Sequence, residues 1–395
     1  MGSQREVVVL SGVRTAIGSY GGSLKDLPPS ELAAMVVREA IARAGIEAKE
    51  IEQVVFGHVI NTEPHDMYLA RVACVKGGIP VETPALTLNR LCGSGLQAIV
   101  SAAQTILLGD TDAAIGGGAE VMSRSPYSVP AMRWGARMND AKLIDMMVGA
   151  LSDPFDDCHM GITAENVAEK WNVSREDQDA LAVVSHTRAA AAIEAGNFKS
   201  QIMPVELKVK KSTQIFDTDE NVRGDASVEK MAKLRPVFKK DGSVTAGNAS
   251  SINDAAAAVV LMERGVAESR GYKPLARLVG YQVAGVEPKY MGIGPVPAVK
   301  QLLERTGIAM DAIDLWEVNE AFAAQALAVC RDLNLPDDKT NPNGSGISLG
   351  HPIGATGTIL TVKAVHELQR TGGRYALVTM CIGGGQGIAA IFERI

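Results

Sequence analysis

The chain has 395 residues, 46% hydrophobic and 21% charged, with 39 basic and 45 acidic side chains mixed along it to a formal charge of −6. That length suits two or three domains with a large buried core, and the mixed charge excludes the clustered basic face of a nucleic-acid binder. No window reaches the roughly 18 uninterrupted apolar residues of a membrane span, and residues 1–6 run into the apolar stretch 7–10 without a signal-peptide pattern. The expected compartment is therefore the cytoplasm, with neither nucleic acid nor membrane as partner. Five cysteines (Cys74, Cys92, Cys158, Cys330 and Cys381), an odd number with no C-x-x-C pair, speak against a disulfide framework and a structural zinc site. No metal is expected.

In chain order, residues 7–10 read as a buried strand and Pro29–Ala44 as a helix, with Ser30 placed to cap it and Gly45 to end it. Residues 54–56, 85–88 and 113–115 read as strands, and 95–108 as an unusually apolar helix. From 122 to 250 this alternation stops. That stretch holds Pro126, Pro130 and Pro154, a helix over 175–195 ending at Gly196, and a charged run over 208–240. The strand pattern returns at 255–262. A helix over 298–305 and strands over 313–318 and 375–378 follow. Alternation of this kind predicts an α/β fold.

The second half repeats the first. Gly45, Ile46 and Ile51 match Gly307, Ile308 and Ile313 at a constant offset of 262, which also carries Gly95 to Gly357. Ile115-Gly116-Gly117-Gly118 matches Ile382-Gly383-Gly384-Gly385 after five further residues. This order predicts an internal duplication. The expected organisation is residues 1–121 plus 252–272 as one half, 273–395 as the other, and 122–251 as an inserted lobe suited to ligand contacts.

Four segments carry chemistry. Leu91-Cys92-Gly93-Ser94-Gly95 places a thiol between a strand and an apolar helix, where the helix dipole favours thiolate. Asn343 to Gly357 surrounds one imidazole, His351, with glycines, and imidazole titrates near neutrality. Cys381 follows the strand over 375–378, and Gly383-Gly384-Gly385 after it bares N–H groups suited to an oxyanion. Asn319-Glu320-Ala321-Phe322 ends another strand. Two thiols, an imidazole and an amide thus collect on loops at strand ends.

The segments 89–99, 117–123, 319–325, 343–357 and 381–387 resemble the signature motifs of the thiolase family, and the likeness runs from Val7 to the end of the chain. The resemblance implies the thiolase fold, a duplicated five-layered αβαβα core with an inserted loop domain, assembled as a homotetramer (a dimer of dimers). It implies Cys92 as the nucleophile that carries the acyl group, and Cys381 as the acid/base thiol. It implies His351 as the activator and first oxyanion donor, and Asn319 as the residue orienting a water there. The N–H groups of Cys92 and Gly383 match the second oxyanion hole. His159, Met160, Arg223, Phe238, Ala246, Ser250, Met291, Ala321 and Phe322 match substrate and coenzyme A contacts. No resident cofactor is implied, since coenzyme A is substrate and product.

His159 to Ala164 and Met291-Gly292 look more like the biosynthetic members, which join two acetyl-CoA, or acetyl-CoA and propionyl-CoA, than the degradative long-chain ones. The degradative 3-ketoacyl-CoA thiolase is the alternative. A non-catalytic coenzyme A- or lipid-binding relative is the reading from another class, disfavoured because all four reactive groups are present. Ser345, Ser348, Ser251 and Ala255 replace residues that are commonly Gly or Ala in the family, and are expected to alter pocket shape alone.

Overall fold

The computed structural model describes residues 5–209 and 212–395. The reading of residues 1–4, and Lys210 and Lys211 of the charged run, lie outside the described residues. Strand β1 (Val7–Arg14) is buried along its length and leads to α1 (Pro29–Ala44). Ser30 is not the cap expected of it: it is buried inside the first turn, and Pro28-Pro29 start the helix without a side-chain cap. Gly45, at φ 68, closes it. There follow β2 (Gln53–Gly57), α2 (Leu69–Lys76), β3 (Ala85–Leu88), α3 (Ser94–Leu108) and β4 (Ala113–Val121). The middle stretch holds α4 (Met160–Lys170) and α5 (Arg175–Glu194). The second half comprises β5 (Asn253–Glu263), β6 (Ala276–Gly285), α6 (Pro295–Thr306), β7 (Leu315–Val318), α7 (Ala323–Leu333), α8 (Thr356–Thr371), β8 (Tyr375–Ile382) and β9 (Gln386–Arg394).

The strands lie in the order β7-β8-β9-β6-β1-β5-β4-β2-β3. Only Val8–Arg277 and Val9–Ala276 join β1 to β6, so two half-sheets abut there. Neighbouring residues on a strand face opposite sides, and the core clusters divide accordingly. Val8 and Val54 face α1 and α2, while Val9 and Val55 face the middle of the molecule. There Ile99 and Ala102 of α3 meet Val362 and Val365 of α8. Leu377 and Ile391 face α6 and α7 on the far side, through Val299, Leu302 and Ala328. Helix, sheet, helix pair, sheet, helix makes five layers.

That middle position explains α3. Residues Leu91–Leu108 have a mean hydropathy of 1.5, apolar and long enough by composition to cross a membrane, although Gln97 and Gln104 among others interrupt the apolar run. Their apolarity instead fits a helix between two sheets.

The offset of 262 carries the start of α3 (Ser94) to that of α8 (Thr356), and the start of β4 (Ala113) to that of β8 (Tyr375). Gly45 and Gly307 share φ 68. The glycine triplets, however, are not equivalent. Gly116–Gly118 lie inside β4, where an added Cβ would meet Ile99, the Phe56 ring and the Gly354 carbonyl at 2.7, 2.4 and 2.3 Å. Gly383–Gly385 form the turn between β8 and β9, with Gly384 at φ 80 and Gly385 at φ 85. One triplet serves close packing and the other a turn. The middle stretch is also less separate than expected. Val167 and Ala168 of α4 join the core around Trp316, and Ala189 and Ala192 of α5 join that around Leu32. Both helices of this stretch thus pack side chains into the existing core, α5 through a face that also buries Gln178, Asp179, Ser185 and His186.

Candidate active site

Between β3 and α3 the chain makes a tight turn that presents Cys92. Leu91 takes φ 45, a left-handed conformation unusual for a branched residue. The Asn89 side chain accepts the Leu91 N–H at 2.8 Å. Ser94 Oγ accepts the Arg90 N–H at 2.8 Å and donates to the Leu91 carbonyl at 2.7 Å. A Cβ on Gly93 would stand 2.6 Å from Ile382, so glycine there lets the end of β8 approach. Cys381, the penultimate residue of β8, is 1% exposed.

His351 sits on the turn before α8, its N–H donating to Asn253 Oδ1 at 2.9 Å. Its Nδ1 lies 2.7 Å from Thr356 Oγ1, whose hydroxyl donates to the Pro352 carbonyl at 2.9 Å. With that proton committed, Thr356 accepts from Nδ1–H, and Nε2 is left as the basic nitrogen. Asn319 follows β7, its N–H bound to the Thr379 carbonyl at 3.0 Å. Its Nδ2 is 3.5 Å from each ring nitrogen of His351, and its buried Oδ1 has no partner.

Cys92, Cys381, His351 and Gly383 line one cavity of about 200 Å³. His159, Met160, Phe238, Ser250, Met291, Ala321 and Phe322 line it too. His159 caps α4, accepting the Gly161 N–H at 3.0 Å, and stacks on Phe238 with centroids 4.6 Å apart. Phe238 meets Phe322 edge-on at 6.3 Å. Asn319 stands behind His351 rather than on the wall. Arg223 and Ala246 are exposed and do not line the cavity. The sequence reading missed the apolar wall formed by Met122, Ala150, Leu151, Ile252 and Ile353. Met122 and Ile353 lie within motifs already singled out, whereas nothing in the sequence marked Ala150 or Leu151. It also missed Glu120, which accepts the N–H groups of Val59, Ile60 and Gly354 at 3.0, 3.1 and 2.9 Å and so ties β2 to the His351 turn.

Burial raises the Cys92 pKa to about 11, although the Gly383 N–H and its own N–H draw it down in part. Burial, with the Cys92 sulfur beside it, pushes Cys381 up as well. Burial lowers His351 to about 4. At neutral pH the site therefore rests as two thiols and a neutral imidazole, not with the enriched thiolate expected from helix dipole and imidazole. Removing water from the charged forms outweighs both.

The family model described as "Thiolase, N-terminal domain" matches residues 7–265, and "Thiolase, C-terminal domain" matches 272–394. The chain is 69% identical over 392 residues to the beta-ketothiolase BktB of Cupriavidus necator, covering 99% of this chain and 100% of that one. The crystal structure of the Bacillus anthracis acetyl-CoA acetyltransferase superposes with a TM-score of 0.98 at 46% identity, covering 100% of both chains. Human mitochondrial 3-ketoacyl-CoA thiolase in complex with CoA superposes at 0.96 with 44% identity, covering 99% of this chain and 98% of that one.

Proposed function

The chain belongs to the thiolase family, and from that premise we propose that it is a biosynthetic β-ketothiolase, joining two acetyl-CoA, or acetyl-CoA and propionyl-CoA, by reversible Claisen condensation. The observation that carries this reading is the meeting of Cys92, Cys381 and His351 on one cavity.

The steps balance from the resting state. Cys92 attacks the first thioester as its proton passes to His351 Nε2, leaving imidazolium. The coenzyme A thiolate departs with the proton of Cys381, so acyl-Cys92 faces a Cys381 thiolate. That thiolate takes an α-proton from the second acetyl-CoA. The enolate charge gathers on the thioester oxygen beside His351 and an Asn319-oriented water. The enolate carbon then attacks the acyl carbonyl, held by the N–H groups of Cys92 and Gly383. Cys92 leaves as thiolate and recovers its proton from His351. Atoms sum to one 3-ketoacyl-CoA and one free coenzyme A, and thiolysis is the reverse.

The wall of His159, Met160, Phe238, Ser250, Met291, Ala321 and Phe322 suits the pantetheine arm. Arg223 and Ala246, on exposed chain outside the cavity, suit the nucleotide end, which remains hydrated. Steady-state rates across 3-ketoacyl-CoA lengths test the function. The four- and five-carbon substrates are expected to be fastest, and a preference for long chains supports the degradative reading instead. One methylene is worth about 1–3 kcal/mol of discrimination, enough to read in such a series.

The proposed assembly is a homotetramer. Two features support it: the sheet ends at β3, where Leu86 is 47% exposed, and Trp134 and Met138 of the middle stretch are 82% and 84% exposed. Light scattering should give four times the chain mass of 41.6 kDa, and a monomer would reject this assembly. A reducing cytoplasm suits a site that works through two free thiols.

A further inference from the structure

Behind Asn319 and His351 runs a buried polar chain that none of these steps uses. Glu320, 2% exposed, directly follows Asn319. Its carboxylate accepts from Ser185 Oγ at 2.6 Å, from Asn341 Nδ2 at 3.0 Å and, more weakly, from the Ile347 N–H at 3.4 Å. Ser185 Oγ also lies 2.8 Å from Ser348 Oγ. Each hydroxyl has one proton to give. The carboxylate takes that of Ser185, and Ser348 shares its proton between Ser185 Oγ at 2.8 Å and the Ser345 carbonyl at 3.3 Å, so the chain of contacts runs Ser348, Ser185, Glu320. On the other side of Asn319, the Asn341 side chain binds the N–H and carbonyl of Val318 at 2.9 and 2.8 Å, and Ser345 Oγ donates to the same carbonyl at 3.0 Å. Two of the three serines that were expected to affect pocket shape alone, Ser345 and Ser348, are thus hydrogen-bonded in the interior.

The connections matter because, beyond its N–H on the Thr379 carbonyl, Asn319 does little to hold its side chain. Its two approaches to His351, at 3.5 Å, lie at the limit of hydrogen bonding, and Oδ1 is unpartnered. Its place is set by Val318 and Glu320 on either side. Ser345 and Ser348 belong to the turn that ends at His351, and Ser185 to α5. A Cβ on Gly346 would stand 2.8 Å from Asn319 Oδ1 and 2.7 Å from the Glu320 carbonyl, so turn and strand end are in direct contact. We propose that Ser348, Ser185 and Glu320 act as one positioning unit that fixes Asn319 against His351, and so sets the oxyanion site where the enolate forms. This rests on the reaction proposed above.

The enolate site serves carbon–carbon bond formation, whereas acylation of Cys92 uses the N–H groups of Cys92 and Gly383. Ser348→Ala and Ser185→Ala therefore separate the half-reactions. A misplacement of about 1 Å can lower a rate on the order of 100-fold, so condensation kcat is expected to fall about 10- to 100-fold. KM for acetyl-CoA should stay within about twofold, and acetyl-Cys92, followed by rapid quench and mass spectrometry, should form at the unsubstituted rate and accumulate. The double variant should lose no more than the worse single one, because both cut one chain. Equal losses in acylation and condensation, unchanged rates throughout, or losses that multiply in the double variant would overturn the proposal. Glu320→Gln, which keeps the packing, provides a third variant with the same expected split. If the unsubstituted protein never acetylates Cys92, the reaction itself is wrong, a result distinct from a failure of positioning.

Discussion

Cys92→Ser is expected to lower condensation and thiolysis by on the order of 10,000-fold or more, with no acyl adduct on the protein after exposure to acetyl-CoA. The change keeps the side-chain shape and alters mainly the acidity. In the enclosed site the thiol sits at about 11 and the imidazole at about 4, so even the native proton transfer runs uphill in the resting state. A serine hydroxyl is far less acidic than a thiol, and the same imidazole would have to work against a much larger gap. Folding is expected to be unchanged, because the hydrogen bonds that shape this turn come from Asn89 and Ser94. The raised thiol has a second consequence. Below its pKa, each pH unit changes the thiolate fraction about tenfold, so alkylation of Cys92 by iodoacetamide should accelerate about tenfold per unit between roughly pH 7 and 9. A rate independent of pH in that window would show a preformed thiolate. Serine activity within about tenfold of the native enzyme would remove Cys92 as nucleophile.

The reacting groups were legible because each needs a local pattern that the sequence shows. A thiol before an apolar helix, an imidazole among glycines and a thiol before a glycine turn are short-range features, and the duplication supplies their order. The charge state was not legible. Thiolate enrichment followed from the helix N-terminus and the imidazole, both visible in sequence, but the enclosure that overrides them comes from distant segments. Met122, Leu151, Ile252 and Ile353 close around the cavity from four parts of the chain.

Glycine misled in two opposite ways. The strand read over 113–115 runs on through Gly116–Gly118 to Val121, although glycine ordinarily weakens a strand. Space decides there, because Ile99, Phe56 and Gly354 leave no room for a side chain. The likeness between that triplet and Gly383–Gly385 was real as composition and false as structure. Arg223 shows the limit from the other side: a cation in a polar segment matches a coenzyme contact by position, yet it stands exposed outside the cavity.

Cys381→Ala should separate the two halves of the reaction. Acetyl-Cys92 is expected to form and persist, while condensation falls by on the order of 100- to 10,000-fold, the usual range for loss of a positioned acid or base. The argument turns on the order of proton movements. In the free site burial and the neighbouring Cys92 sulfur both hold Cys381 in its thiol form, ready to protonate the departing coenzyme A. Acylation of Cys92 removes an ionisable neighbour and leaves His351 as imidazolium, so both changes favour the Cys381 thiolate at the moment an α-proton must be taken. Without that sulfur, the first step can still draw its leaving-group proton from water. The other imidazole lining the cavity, His159, already accepts the Gly161 N–H on Nδ1, so among the described lining residues no free base takes over while His351 carries its proton. Deuterium exchange at the acetyl methyl group offers a direct reading. The native enzyme should exchange solvent deuterium into acetyl-CoA, and the alanine variant should not, even though its Cys92 is acetylated. Exchange at the native rate in the variant would move the base elsewhere in the site.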